Sequence, residues 1–400
     1  MRSTIPTLVV LLAMGACQEG GASKDTGAVD GDPSMTRPTG DTPTTVGSPT
    51  YVGTGTTDDG PETADITDAV ETTDPDETPD CPDEDPTNGI DDDCDGEVDE
   101  PVIVLTEPVT VSEHSHTARM LSCDAGNLFL PDNSNDEIIV VDIATNLITG
   151  TLPTGDYPYF VVSKDGWTVS SNVYDNTVTI IDSASATVFD QLKVGEFPWG
   201  ITILDDLLYV NFGTAAEPYV LPAELATGTK LERFDGDSGP DRMAAIDGKV
   251  FLINARSPVA DYDDAVSIHA STGELLGRVE TGGGLYDIVS HDANGMVYAT
   301  AGADEQVIEL DPATLSETRR FPTGSAPNGM ASRGDYLFVV NRDGPSITVI
   351  EPVADWHIEL DLSAFQTSIN TPRGIAACEG GHLYVEADGK VVGFVDAFED

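Results

Sequence analysis

Leu337-Phe-Val-Val-Asn341 is one version of a string that recurs along the chain as Leu128-Phe-Leu130, Leu208-Tyr-Val-Asn211, Val250-Phe-Leu-Ile-Asn254, Val297-Tyr-Ala299 and Leu383-Tyr-Val385. Behind it comes a second recurring string that ends in an acid: Ile138-Ile-Val-Val-Asp142, Val178-Thr-Ile-Ile-Asp182, Ile347-Thr-Val-Ile-Glu351 and Gly393-Phe-Val-Asp396. Both are short, rich in β-branched and aromatic residues, and bounded by Gly, Asn, Asp and Pro. That is the make-up of strands cut by tight turns. Ahead of each pair stands a turn and a small apolar run, with Pro158, Pro198, Pro240, Leu285, Pro327 and Pro372 in corresponding places, separated by 40, 42, 45, 42 and 45 residues. Thr117, 41 residues before Pro158, carries the series one unit back and brings it to seven. Short strands repeating at about 40 residues predict propeller blades. The expected fold is therefore all-β, a seven-bladed β-propeller over residues 101–400, favoured over a sandwich by the even spacing.

The strings, with Gly-x-x-Pro before them and Ala-Thr or Pro-Ala-Thr after, resemble the YVTN family of β-propeller repeats over residues 117–400. The resemblance implies the fold and leaves the function open. The seventh unit stops at Phe394-Val-Asp-Ala-Phe398, one strand short of a four-stranded blade. Residues 102–111, Val-Ile-Val-Leu-Thr-Glu-Pro-Val-Thr-Val, are β-prone and precede the first unit, so they are expected to supply the missing outer strand and close the ring. Cys123 and Cys378 occupy the same position in the first and last units, which are neighbours in a closed ring. They either form a disulfide or remain two small buried thiols beyond bonding reach.

Charge excludes some partners. The chain carries 71 acids against 18 bases, a formal net charge of -53. Residues 1–100 hold 25 acids and 3 bases, leaving 46 and 15 for the rest. Such a surface repels phosphate backbones and anionic headgroups, so no nucleic-acid partner is expected and direct membrane contact is disfavoured. Cationic partners and divalent metals remain compatible, as does a purely solubilising role for the charge.

Residues 1–17 place Arg2 before an apolar run from Leu8 to Met14 and a close of Gly15-Ala16-Cys17. That is the plan of a signal peptide and too short for a permanent span. The ending resembles a bacterial lipobox, which implies cleavage before Cys17 and lipidation of its sulfur; Gln18 in the next position implies the outer membrane or cell surface. The alternative is an ordinary secreted signal. Residues 18–80 are dominated by Thr, Asp, Gly and Pro and read as a disordered tether that cannot bury enough apolar surface to order itself. As a flexible coil it would span roughly 45 Å.

Residues 81–100, Cys81-Pro-Asp-Glu-Asp-Pro-Thr-Asn-Gly-Ile-Asp-Asp-Asp-Cys-Asp-Gly-Glu-Val-Asp-Glu100, put Asp91, Asp93 and Asp95 at alternate positions before Gly96. Alternate carboxylates can curl round one hard cation while glycine permits the turn, as in the first half of an EF-hand loop. Glu97 would offer its carbonyl and Asp99 a direct or water-mediated oxygen. The place of the bidentate Glu is taken by Val102, so the expected Ca²⁺ affinity is weak. The stretch from Asn88 resembles the cysteine-containing metal-binding motif of secreted myxobacterial proteins, which implies hard-cation binding. A Cys81–Cys94 disulfide would pre-form the cage; the alternative is an acidic, solvated hinge.

In a propeller the positions after each repeat marker lie near the mouth of the central channel. Here they are Tyr159, Trp199, Asp241, Tyr286, Asn328 and Arg373, with Arg119, Arg242 and Asp287 one step further on. They are either a ligand funnel or structural ion pairs. The six histidines show no zinc-type spacing, and the chain has neither a serine nucleophile elbow nor a phosphate loop. Two functional readings follow. The first is a monomeric envelope lipoprotein whose propeller binds a protein, glycan or small ligand without catalysis, above a Ca²⁺-binding neck. The second is a metal-dependent, lactonase-like hydrolase at the channel mouth, with Asn211, Asn254, Asn341 and Glu386 as metal ligands.

Overall fold

The computed structural model describes residues 109–112, 120–212, 218–236, 241–254, 265–364, 369–387 and 389–395. Cys17, the tether, the acidic motif with Cys81 and Cys94, and Arg119 lie outside the described residues.

Seven antiparallel four-stranded sheets are arranged as blades. Blade 2 shows the plan: an inner strand Pro158–Lys164, a second strand Trp167–Asn172, a third Thr177–Asp182 and an outer strand Thr187–Lys193. The inner strands of blades 1 to 7 begin the sheets at Ser122–Asp124, Pro158–Lys164, Ile201–Leu204, Met243–Ile246, Leu285–His291, Pro327–Arg333 and Pro372–Cys378. The Leu-Phe-Val-Val-Asn strings are the second strands and the Ile-Thr-Val-Ile-Glu strings the third, as in Tyr336–Asn341 paired with Ser346–Glu351. Their terminal acids have a local task. The carboxylates of Asp142 and Asp182 accept the amide N–H three residues on, from Thr145 and Ser185, and so shape the turn into the outer strand.

Ring closure follows the expected route, and residues 102–108 of the expected strand lie outside the described residues. Val109–Ser112 is the outer strand of blade 7 and pairs antiparallel with Lys390–Val395. This leaves the last third strand with no bare edge. Seven apolar clusters hold the ring together, one in each blade interface. The second-strand tyrosines reinforce these joints. Tyr209 Oη donates to the Ser271 carbonyl of the next blade at 3.1 Å, and Tyr384 Oη donates to Asn146 Oδ1 of blade 1 at 2.6 Å. In blade 5 the equivalent Tyr298 donates instead to Glu309 at 2.7 Å, and Arg319 crosses to Asp355 of blade 6 at 2.9 Å.

The blade 1 to blade 7 joint also carries a covalent clasp. Cys123 and Cys378 are disulfide-bonded, with their Cα atoms 5.7 Å apart. Of the two alternatives left open by the sequence, the structure takes the bond, because corresponding inner-strand positions of adjacent blades lie within disulfide reach.

Candidate functional site

Every inner strand starts at the face formed by two sets of loops: those linking blades and those joining second to third strands. That upper face holds all the described channel-mouth candidates. Crowding sets what fits just inside it. A Cβ on Gly329 would meet the Arg373 carbonyl oxygen of the next inner strand at 2.5 Å. Gly200, Gly329 and Gly374 therefore leave the room at this level, among the described residues, to Phe160, Arg242 and Asp287.

Arg242 and Asp287 are bonded to each other. Nη1 of Arg242 lies 2.7 Å from Asp287 Oδ1, with both side chains buried. The Asp287 carboxylate also accepts the backbone N–H groups of Ile288 and Met330, each at 2.9 Å, so one carboxylate joins blades 4, 5 and 6. The guanidinium carbon stands 5.4 Å from the Phe160 ring of blade 2. Burial by itself would lower the Arg242 pKa, but the charge and hydrogen bond of Asp287 outweigh it and hold the group above its ordinary value. The pair ties the adjoining inner strands of blades 4 and 5 together at the upper end of the channel.

Below it lies a chamber of 240 Å³ lined mainly by small residues such as Ser163, Ala244, Ser290, Ala331 and Ala377. Asp287 is the one charged side chain among its lining residues. Lys164 of blade 2 and Asp292 of blade 5 approach to 3.5 Å between the lower hairpins. The chamber falls under the roughly 300 Å³ at which small-molecule pockets begin.

The other candidates divide between packing and surface. Tyr159 is buried and packs 4.8 Å from Trp199, whose Nε1 donates to Asp241 Oδ1. Asn328 is buried, and its carbonyl accepts the Thr300 hydroxyl at 3.1 Å. Tyr286 is exposed, with Arg342 5.6 Å from its ring, and Arg373 is half-buried at the start of its strand. The hydrolase set is dispersed over blades 3, 4, 6 and 7. Asn341 Nδ2 donates to Ser346 Oγ and Thr348 Oγ1 at 2.9 and 3.0 Å, tying second strand to third. Asn254 Nδ2 donates to Ser267 Oγ at 3.1 Å, Asn211 Nδ2 to the Asp241 carbonyl at 3.0 Å, and Glu386 accepts the Gly389 N–H at 3.3 Å. All four are buried.

Sequence reasoning passed over the feature that dominates the upper face of blades 2 and 3. Tyr157 lies 4.6 Å from Tyr174 and stacks 6.0 Å from Tyr159, while Tyr174 lies 6.5 Å from Phe197. With Trp199 these rings form a continuous aromatic platform, on which Tyr174 is 57% and Phe197 46% exposed. Gly155-Asp-Tyr-Pro-Tyr159 and Gly195-Glu-Phe-Pro-Trp199 carried a visible signal, an aromatic on each side of the marker proline. Tyr174, in another loop, carried none.

Fold and site together define a seven-bladed β-propeller with a buried Arg242–Asp287 pair between inner strands and an aromatic upper face. No protein-family model and no curated protein sequence matches the chain. Solved structures do share its fold. A streptogramin B lyase is similar with a TM-score of 0.61 and 13% identity, over 74% of this chain and 98% of that one. Virginiamycin B lyase from Staphylococcus aureus is similar with a TM-score of 0.58 and 12% identity, over 73% and 99%. The hydrazine synthase of Kuenenia stuttgartiensis is similar with a TM-score of 0.59 and 15% identity, over 72% and 97%. At these identities the likeness is one of fold.

Proposed function

We propose that the protein is an exported, lipid-anchored envelope protein whose propeller is a non-enzymatic binding module, carried on an acidic tether with a Ca²⁺-binding neck. The observation that carries the binding reading is the aromatic upper face, where the rings of Tyr174 and Phe197 are open to solvent. Arg242 and Asp287, by contrast, are taken up with each other. Solved neighbours that include lyases set no activity for this chain, since one propeller scaffold hosts many functions. The YVTN-like strings support a surface role only by resemblance. Asp91, Asp93, Asp95, Glu97 and Asp99 are the proposed Ca²⁺ ligands and Cys17 the proposed lipid site.

The test uses the full chain. Calorimetry should show weak Ca²⁺ binding that disappears in an Asp91→Asn/Asp93→Asn/Asp95→Asn variant, and Cys17→Ser should release the protein from the membrane fraction. Metal retained by the triple variant overturns the neck assignment. Metal-dependent lactone or ester turnover that is lost in Asn341→Ala or Glu386→Gln overturns the non-enzymatic reading.

A further inference from the structure

The rings of Tyr157, Tyr174 and Phe197, the first half-buried and the other two exposed, stand on the upper face at positions that blades 5 and 6 fill with small or polar residues. Tyr157 and Phe197 immediately precede the marker proline, with φ of 62° and 53°. The same place in blades 5 and 6 is held by Gly284 at 66° and Ala326 at 54°. In blades 2, 5 and 6 its backbone role is the same: the Tyr157 carbonyl accepts Val173 N–H at 3.0 Å, the Gly284 carbonyl accepts Gly302 N–H at 2.9 Å and the Ala326 carbonyl accepts Arg342 N–H at 3.0 Å. The fold thus asks for a left-handed residue there, and a bulky aromatic in that region is strained. Tyr174 likewise corresponds to Ser134, Ala303 and Asp343 in blades 1, 5 and 6, by the register of the second and third strands. Turn geometry requires no aromatic at these places, and although Tyr157 packs against the apolar cluster between blades 2 and 3, Tyr174 and Phe197 belong to none of the apolar clusters. Large apolar groups left in water and grouped on one face mark a contact site.

Charge selects what the site takes. The three loops 154–157, 173–176 and 194–197 bear Asp156, Asp175 and Glu196 and no base. All three acids are exposed, and Asp156 and Glu196 form no ion pair among the described residues. Ring faces attract cations through their quadrupole, and carboxylates beside them add a directional partner for guanidinium or ammonium. The chain's own tether, with 25 acids and 3 bases in residues 1–100, has the wrong sign to occupy such a surface.

We infer that the platform formed by Tyr157, Tyr174 and Phe197, with Asp156, Asp175 and Glu196 around it, binds an extended polypeptide segment of a partner protein through its Arg and Lys side chains. The inference rests on the reading of the upper face as a binding surface and names its ligand class.

The test titrates the full chain with an Arg-Gly repeat peptide, a Gln-Gly repeat of equal length and the neutral oligosaccharide cellohexaose, followed by fluorescence anisotropy. The variant is Tyr174→Ser/Phe197→Ala, which installs the residues that blades 1 and 6 already carry at those positions; unchanged thermal unfolding confirms that it folds. The Arg-Gly peptide should bind with salt-sensitive affinity, the Gln-Gly peptide should not, and the variant should weaken Arg-Gly binding by about tenfold, as loss of two ring contacts with cations implies. Tyr174→Phe should keep the affinity. Equal binding of Arg-Gly by wild type and variant assigns it to the acidic tether and overturns the inference. Cellohexaose binding that the variant loses, without Arg-Gly binding, overturns the ligand class and leaves the binding surface standing. Wild-type binding of none of the three overturns the ligand class, and the surface reading falls with it if the variant also matches wild type in pull-down from envelope extracts.

Discussion

Removing Arg242 should destabilise the ring less than neutralising Asp287, and removing both should cost less than either. The two side chains are buried, 2.7 Å apart. Breaking a buried pair by deleting one partner costs about 3–5 kcal/mol, because the survivor is left as an uncompensated charge. In Arg242→Met the survivor is a carboxylate that keeps two backbone N–H donors at 2.9 Å, from Ile288 and Met330, so the loss should sit near the lower figure, about 3 kcal/mol. In Asp287→Asn the survivor is a guanidinium facing an amide in the same confined space, and the loss should approach about 5 kcal/mol. The double variant contains no buried charge and should lose no more than about 2 kcal/mol, the scale of one unsatisfied polar group. Urea unfolding followed through Trp199, whose indole donates to the neighbouring Asp241, reads all four proteins. In thermal unfolding, at about 2–4 °C per kcal/mol, the Arg242→Met midpoint should fall by about 6–12 °C. Single losses below about 1 kcal/mol, or a double variant equal to the sum of the singles, would refute Arg242 and Asp287 as a coupled buried pair.

Four further outcomes follow from the geometry. Reducing the Cys123–Cys378 bond, or replacing both residues by Ala, should lower the urea midpoint: a crosslink across 255 residues is worth up to about 5 kcal/mol in the chain-entropy account, and an unchanged midpoint would show that the apolar joint alone closes the ring. Deleting residues through 112 strips Val109–Ser112 from Lys390–Val395, and light scattering should then report concentration-dependent association through the bared edge. His291 is buried with Nδ1 2.8 Å from Ser332 Oγ; burial lowers its pKa, against the raising influence of Asp335, Asp292 and Glu309. The unfolded chain therefore takes up this proton first, near pH about 6.5, so stability should fall as pH drops from neutrality through that value, and His291→Gln should flatten the slope in pH-dependent unfolding. Asn341→Ala removes the donor shared by Ser346 and Thr348 and should destabilise by about 1–3 kcal/mol in urea unfolding, whereas a loss below 0.5 kcal/mol, as a rough bound, would undercut its structural role.

Blade number, strand identity and the ring's closing partner were legible because their causes are local or periodic. A third strand ends in Asp142 or Asp182 because that carboxylate caps its own turn three residues on, and the repeat at about 40 residues reports how often such a unit can be stacked. The strand that completes blade 7 was legible by subtraction, and the described strand Val109–Ser112 begins within residues 102–111. The Asn residues of the second strands carry a structural part that their pattern does not announce: the Nδ2 groups of Asn341 and Asn254 turn toward the hydroxyls of the neighbouring third strand.

The sequence alone therefore determined the blades: turn chemistry, alternation and period all act within about 40 residues, and each unit repeats the same instructions. Tertiary structure decided the channel mouth. Arg242 and Asp287 are 45 positions apart and meet where blade 4 packs on blade 5, while Cys123 and Cys378, separated by 255, reach bonding distance only when the ring closes. The aromatic platform has the same origin. Tyr157, Tyr174 and Phe197 come from three separate loops, and nothing in the strand periodicity says that their rings will meet on one face. Contacts between blades depend on how inner strands crowd about a common axis, and that distance is a property of the assembled ring, not of any one repeat.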